Sequence, residues 1–160
     1  MFRPIATTTL TALAVLAFSA PATAAPPDGY STFKDDFATT TAPNQLVTVA
    51  TLRVPTGAAY AVFAKAFLGV PTDGLGQTVQ CELVAGQDFD RTIVTHDPAT
   101  AFASVALNVV HRFSIPVTRL RARPVIQLRC GVLLSGGPLS MGFIKITAIS
   151  LDSLSNVPAP

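Results

Sequence analysis

The chain of 160 residues has no tryptophan, and it holds few of the residues that carry out enzyme and metal chemistry. It has two histidines, two cysteines and one glutamate, and charged residues make up 12% of the sequence. Two cysteines and only two histidines argue against a structural zinc site, because every one of them would have to serve as a ligand. Tyr30 and Tyr60 are the two tyrosines, and we expect several of the ten phenylalanines to pack in a core. Because sugar-binding sandwiches usually stack ligands on exposed aromatic rings, this composition argues against a carbohydrate-binding module but leaves it as an alternative.

The short motifs of common hydrolases are also missing, since neither Gly-x-Ser-x-Gly nor His-Glu-x-x-His occurs. A paired-carboxylate hydrolase needs two acids that flank a cleft, whereas Glu82 is predicted on the outward face of a strand. Asp88 and Asp90 stand in a stretch typical of a solvated turn. Their second interpretation is a calcium site completed by loop carbonyls, for which two carboxylates are a weak cage. We therefore predict no catalytic residue, no cofactor and no metal site.

The two histidines are predicted to have structural positions. His96 precedes Asp97-Pro98, a turn signal, so we expect it to be exposed. His111 is in the inward register with Val109 and Phe113, which favours a histidine of the core or its rim. Because the members of a Ser-His-Asp triad need not be adjacent in sequence, a small secreted hydrolase stays a third hypothesis.

The first 24 residues have the pattern of a cleavable signal peptide. Arg3 is the only early charge, Leu10 to Phe18 is apolar apart from Thr11, and Ala22-Thr23-Ala24 is a small-x-small cleavage site. The apolar run is too short for a transmembrane helix, which needs about 20 residues. We therefore predict that residues 1–24 are removed and that the mature protein is secreted without a membrane span.

Charge is distributed unevenly along the rest of the chain. Residues 25–97 hold eight acidic and four basic residues, whereas residues 98–151 hold six basic residues and no acid. The six are Arg112, Arg119, Arg121, Arg123, Arg129 and Lys145. Because no nucleic-acid recognition motif accompanies them, we expect the two halves to pair across strands of a sheet and not to bind nucleic acid.

Cys81 and Cys130 are predicted to form a disulfide. An even number of cysteines in an exported chain is typical of an oxidised pair. Both cysteines fall on inward positions of predicted strands, as a core disulfide requires. Two buried free thiols are the alternative.

Short β-branched runs separated by Gly, Pro and Asp turns fill the chain from Leu46 onward. In Thr78–Ala85, Val79 and Leu83 share one face and Gln80 lies on the other, which is the period of a half-buried strand. Seven strands are predicted, at Leu46–Val54, Tyr60–Leu68, Thr78–Ala85, Arg91–Thr95, Ser104–Phe113, Val125–Cys130 and Gly142–Leu151. Such a series predicts an all-β fold, an antiparallel β-sandwich or jelly roll of about seven to eight strands.

Four segments follow from these patterns. Residues 1–24 are the signal peptide, and residues 25–43, rich in Pro, Thr, Asp and Ala, are predicted to be a flexible leader with one short pairing segment. The β-sandwich domain is predicted over residues 44–154. Residues 155–160 are predicted to be a C-terminal tail.

Three segments together resemble a group of small exported actinobacterial proteins. They are Val79–Gly86 with Asp88-Phe89-Asp90, Ile126–Cys130 and Ile144–Ile149. The resemblance covers about Leu46 to Leu154 and implies a compact jelly roll distantly similar to tumour-necrosis-factor-like folds. It implies no catalytic residues. Together with the apolar composition, it raises the hypothesis of a homo-oligomer.

Export, a disulfide-linked sandwich and missing catalytic motifs together predict a non-enzymatic protein that acts through its surface. Other envelope or extracellular proteins are its expected partners. The alternative is a lectin-like, carbohydrate-binding module, followed by the small hydrolase.

Overall fold

Eight antiparallel strands make up most of the structure, a computed structural model that describes residues 28–69, 76–97, 103–114, 123–134 and 136–152. The strands are β1 (Gly29–Thr41), β2 (Val47–Arg53), β3 (Ala59–Leu68), β4 (Gln77–Ala85), β5 (Asp88–His96), β6 (Ala103–Arg112), β7 (Val125–Val132) and β8 (Gly137–Leu151). They form two four-stranded sheets, with the orders β1-β8-β3-β6 and β2-β7-β4-β5. This is the strand order of an eight-stranded jelly roll, so the predicted all-β sandwich is confirmed. Within the described ranges, no helix is long and apolar enough to cross a membrane.

All seven predicted strands are present, as β2 to β8. The largest differences are at β5, which begins three residues early at Asp88, and at β8, which begins at Gly137. The prediction that Asp88 and Asp90 lie in a turn is therefore wrong. The turn is the two-residue connection Gly86-Gln87, in which Gly86 has a φ of 64° that glycine adopts without strain.

The prediction of a flexible leader over residues 25–43 is wrong for Gly29–Thr41, which forms β1. This strand pairs with β8 along its whole length, from Gly29 opposite Ile149 to Thr41 opposite Gly137. The sequence pattern misled because the partly buried positions change parity in the middle, from even-numbered residues before Asp35 to odd-numbered residues from Phe37 onward. The described sandwich therefore begins well before residue 44. Residues 1–24 and 155–160 lie outside the described residues.

The core lies between the two sheets and is built from the inward positions of every strand. The predicted inner residues Ile144, Ile146 and Ala148 of β8 are fully buried, and so are Leu83 and Ala85 of β4. Burying a leucine or isoleucine side chain stabilises the fold by roughly 1.5–3 kcal/mol. Because successive side chains of a strand point to opposite faces, about every second residue of each strand packs between the two sheets.

The predicted disulfide between Cys81 and Cys130 is confirmed. The two residues are directly opposite each other in β4 and β7, and both are fully buried. The bond therefore joins neighbouring strands in the middle of one sheet rather than bridging the two sheets.

Tyr60 anchors the N-terminal strand to the core. Its buried ring meets the edge of Tyr30 from β1 at 6.0 Å and packs against Phe113 at 6.1 Å. The Tyr60 hydroxyl donates a hydrogen bond to the Pro55 carbonyl at 3.3 Å. Burial raises the pKa of the Tyr60 hydroxyl above its ordinary value of 10.0, and the nearby Tyr30 and Asp28 raise it further.

The disulfide generates a first prediction. The double variant Cys81→Ala/Cys130→Ala should lose up to about 4 kcal/mol of unfolding free energy, because the bond closes a loop of 49 residues in the unfolded chain. Thermal unfolding of the two proteins, both without reductant, should show a melting temperature lower by up to about 15 °C in the variant. Equal melting temperatures would contradict the stabilising role of the bond.

The buried Tyr60 hydroxyl generates a second prediction. Because its folded pKa is raised above 10.0, the folded protein holds this proton more tightly than the unfolded chain does. The stabilising contribution is therefore complete below about pH 10 and is lost as the pH rises through the folded pKa. Urea unfolding from about pH 8 to about pH 11 should show a smaller decline in Tyr60→Phe than in the wild type. The same decline in both proteins would count against this account.

Candidate functional site

Asp88 and His111, two residues singled out in the sequence, are brought together at one edge of the sandwich. Nδ1 of His111 lies 2.7 Å from Oδ2 of Asp88, on strands β6 and β5 of different sheets. Next to them, the backbone N–H of Asn108 donates a 2.8 Å hydrogen bond to Oδ2 of Asp90. Both aspartates therefore bond to β6 across the gap between the sheets. In the part of the chain that the structure describes, no three His, Cys, Asp or Glu side chains form a group that suits a metal ion.

The surroundings of His111 confirm its predicted place at the rim of the core. Its ring packs edge-on against Phe113 at 4.5 Å, and its side chain is 17% exposed. A Cβ atom at Gly86 would overlap with the Nε2 side of the ring, so a side chain there would displace the ring of His111. The pair with Asp88 thus links the β4–β5 turn region to β6.

The prediction that His96 is exposed is wrong, because its side chain is almost fully buried. His96 is the last residue of β5, where it pairs with Gln77. It has the same parity as Val94, whose side chain packs against the core. The turn signal of Asp97-Pro98 indicated where the strand ends but not the direction in which its last side chain points.

Glu82 lies on the outer face of its sheet, and neighbouring side chains cover it. Oε1 of Glu82 lies 2.6 Å from Nη2 of Arg91 and accepts a 3.1 Å hydrogen bond from Gln80 Nε2. Arg129 stands opposite Glu82 on the other neighbouring strand, β7. Among the described residues, the predicted pairing of the acidic half with the basic half is represented only by this cross-strand position of Glu82 and Arg129, since the ion-pair partner of Glu82, Arg91, belongs to the acidic half itself.

The feature that sequence reasoning missed is the position of the phenylalanines. Among the described phenylalanines only Phe113 is buried, although several were expected in the core. Five are exposed, namely Phe33 (57%), Phe63 (50%), Phe67 (41%), Phe89 (57%) and Phe143 (63%). All but Phe89 belong to the sheet β1-β8-β3-β6.

We name the outer surface of this sheet the phenylalanine face. It comprises Phe33, Phe63, Phe67 and Phe143 together with the exposed Val110 and Ile149. A signal for it is present in β3, where Lys65 shares the parity of Phe63 and Phe67. Since a lysine is rarely buried without a partner, its alternation with the two phenylalanines indicates that all three point to solvent.

A bulge in β8 shapes one end of the phenylalanine face. Lys145 pairs with Lys65 and Gly142 pairs with Phe67, so two residues of β8 stand opposite one residue of β3. Phe143, at this bulge, has a φ of 50° and meets Phe67 edge-on at 5.9 Å. A left-handed backbone is unusual for so bulky a residue, and backbone strain of this kind clusters at functional sites.

A groove of about 370 Å³ lies in the middle of the phenylalanine face. Its lining includes the ring of Phe63, the side chains of Lys65 and Lys145, and the polar Asn108 and Thr147. Lys65 and Lys145 are directly opposite each other in neighbouring strands. Neither forms an ion pair within the described residues. Like charges in this position destabilise a sheet.

The outer surface of the other sheet differs in chemistry. Its side chains satisfy one another, as in the 3.2 Å hydrogen bond between the hydroxyls of Thr78 and Thr95 and the ion pair of Glu82 with Arg91. Phe89 also lies here, with the Arg91 guanidinium 5.3 Å from its ring centre. Among the described residues, two directly opposite lysines and a group of exposed aromatic rings occur together only on the phenylalanine face.

No protein-family model and no curated protein matches the chain. Among solved structures it is similar to that of the infectious bursal disease virus Gt strain, at 14% identity and a TM-score of 0.45, over 77% of this chain and 33% of the viral one. It is also similar to Eiger TNF from S. frugiperda, at 8% identity and a TM-score of 0.39, over 85% of this chain and 99% of that one. The chain spans about a third of the length of the viral protein. The jelly-roll assignment rests on the strand order of this chain itself.

The positions of the phenylalanines generate a third prediction. Phe63→Ser should change the unfolding free energy by no more than about 0.5 kcal/mol, because an exposed ring has little packing to lose. Phe113→Ala should cost about 3–5 kcal/mol, because it leaves a cavity in the core. Urea unfolding of both variants checks the contrast, and equal losses would show that Phe63 is a core residue.

Proposed function

We propose that this chain is a secreted, non-enzymatic jelly-roll protein that acts by binding another molecule through its phenylalanine face. The observation that carries the proposal is the grouping of Phe33, Phe63, Phe67 and Phe143 on one outer surface. Contiguous exposed apolar side chains with polar neighbours mark interaction sites in soluble proteins. Aromatic residues are also the side chains most enriched where binding energy is concentrated.

Two features support export. Residues 1–24 have the signal-peptide pattern, and a fully buried disulfide suits an oxidising compartment. We include in this proposal that the chain is a member of the group of small exported actinobacterial proteins that it resembles. Envelope or extracellular proteins are then the partners that the phenylalanine face would meet.

The non-enzymatic part is supported by the way the titratable side chains are used. Glu82 bonds to Arg91 and Gln80, and Asp90 bonds to the backbone of β6. Asp88 and His111 bond to each other at the rim of the core. In these contacts the carboxylates that were considered as possible catalytic groups connect neighbouring strands or the two sheets.

Self-association is the competing use of the phenylalanine face. Two faces packed directly against each other would place Lys65 and Lys145 of both copies in one interface. Like-charge juxtaposition across an interface is costly, so we favour a different molecule as the partner. A homo-oligomer that uses another geometry is the alternative, and light scattering over a range of concentrations separates the two.

A lectin-like module is the second candidate, and the groove beside Phe63 favours it. The sequence argued against this function because it has no Trp and two Tyr, but exposed phenylalanine rings also provide flat apolar surfaces. Asn108 and Thr147 add hydrogen-bonding groups next to the ring. Aromatic rings with a few placed polar groups are the usual lining of a small-molecule site.

The fourth prediction tests the phenylalanine face. The mature chain, residues 25–160, should bind saturably to an envelope fraction of the producing organism, either cell wall or surface protein. The double variant Phe63→Ser/Phe143→Ser should weaken this binding at least about tenfold. Each substitution removes an aromatic ring, and aromatic rings contribute much of the binding free energy of an interface. Co-sedimentation with each fraction measures the affinity.

Phe89→Ser is the matched control, since Phe89 is as exposed as Phe33 but lies in the other sheet. It should bind as the wild type does. Wild-type affinity in the double variant, or saturable binding to neither fraction, would overturn the proposal. Hydrolysis of any substrate in a hydrolase panel that disappears in His111→Ala would overturn its non-enzymatic part.

A further inference from the structure

The central observation is the pair of lysines on the phenylalanine face. Lys65 of β3 and Lys145 of β8 are exposed, directly opposite each other, and without an ion-pair partner in the described residues. Two lysines at directly opposite positions of neighbouring strands raise the local positive potential, and a bound anion would relieve their repulsion. The groove that they line therefore has a built-in preference for negative charge.

The next row of side chains across the sheet has a different character. Phe63 lies in the middle, with Thr147 opposite it on β8 and Asn108 opposite it on β6. An aromatic ring is thus flanked on one side by a hydroxyl and on the other by an amide. The amide both donates and accepts hydrogen bonds, and so does the hydroxyl.

The groove is small, and part of its lining is formed by a short side chain. Its volume of about 370 Å³ is at the lower end of the range for small-molecule sites. Ala106, which pairs with Lys65 on β6, contributes only a methyl group to the lining. A ligand can therefore approach the sheet between Phe63 and the two lysines.

We propose that this groove binds an acidic saccharide, a sugar that carries a carboxylate, sulfate or phosphate group. The ammonium groups of Lys65 and Lys145 bind the anionic group, and the ring of Phe63 packs against the C–H face of the sugar. Asn108 and Thr147 hydrogen-bond the sugar hydroxyls. The inference rests on the lectin-like candidate of the proposed function and names its ligand class.

Other occupants fit the groove less well. A bilayer surface would satisfy the phenylalanines and the lysines, but it would remove water from Asn108 and Thr147 without offering them regular partners. A neutral sugar would satisfy Phe63, Asn108 and Thr147 and leave the two like charges facing each other. A saccharide with an anionic group uses all five side chains.

The fifth prediction is a binding experiment with the mature chain, residues 25–160. An array of carboxylated, sulfated and phosphorylated saccharides, each beside its neutral counterpart, identifies the best binder, and calorimetric titration measures its affinity. The acidic form should bind at least about tenfold more tightly than the neutral form, as two charge-assisted contacts allow. Raising the salt from about 0.1 M to about 1 M should remove most of this difference.

Three variants and two controls assign the binding to the groove. Lys65→Thr, Lys145→Thr and Phe63→Ala should each weaken binding roughly tenfold. Arg53→Thr removes one positive charge from an exposed position of the other sheet, and Phe89→Ala removes an exposed ring there. Both controls should keep wild-type affinity. Lys65→Thr should also melt at the wild-type temperature or above, because it relieves a like-charge contact, so that lost binding does not reflect unfolding.

Several results would overturn the inference. These are equal affinity for acidic and neutral saccharides, unchanged affinity in both lysine variants, or binding to phosphatidylglycerol vesicles without binding to any soluble saccharide. The outcome is separable from that of the proposed function. If no saccharide binds while envelope binding still needs Phe63 and Phe143, the inference fails and the proposed function stands.

Discussion

The pairing of β8 with β1 on one side and β3 on the other decides where the side chains of this sheet point. Adjacent residues of a strand face opposite sides, so a slip by one residue would exchange the core with the surface. In the observed register Ile144, Ile146 and Ala148 are buried, while Lys145 reaches the surface between them. The same register therefore determines which side chains of this sheet enter the core and which form the phenylalanine face.

The pairing of β1 with β8 continues past a local irregularity. In both strands the inward positions switch between odd and even residue numbers at the same place. The inward positions of β1 shift at Asp35-Asp36, and those of β8 shift at Gly142-Phe143 directly opposite. The pairing of β1 with β8 thus keeps one register on both sides of Asp35, whereas the pairing of β8 with β3 is interrupted there by the bulge in β8. Phe143 takes its left-handed conformation at this point, so the irregularity that allows the pairing also presents one ring of the face.

The period of two in the sequence was enough to predict strands β2 to β8, the antiparallel sandwich and the inward position of both cysteines. It failed for β1, where no single alternation runs through the strand. It also failed to place the phenylalanines, since alternation separates two sides of a strand without saying which side is solvent. In Tyr60–Leu68 both sides are apolar apart from Lys65, and composition alone favoured the core for the larger rings. Lys65 and Lys145 are far apart in the sequence, and only the fold places them at opposite positions of neighbouring strands.

Side chains link the two sheets at both open sides of the sandwich. Asp90 bonds the Asn108 N–H at one side, and Lys34 and Thr41 bond backbone groups of the opposite sheet at the other side. The bonds to Asn108 of β6 and Val49 of β2 occupy backbone groups that these two edge strands would offer to another strand. Association of this chain by simple addition of strands is thereby discouraged, which leaves the broad outer surfaces for recognition.

The pairing of Gly29 with Ile149 places the start of β1 beside the end of β8. The first and last strands of the described domain run side by side, so the chain enters and leaves the sandwich at the same end. The Phe67–Phe143 pair lies at the bulge, away from that end of the sandwich. Domains with neighbouring ends tolerate circular permutation and insertion into other proteins. A tether at either end would hold this domain by one corner and leave its aromatic rings facing outward.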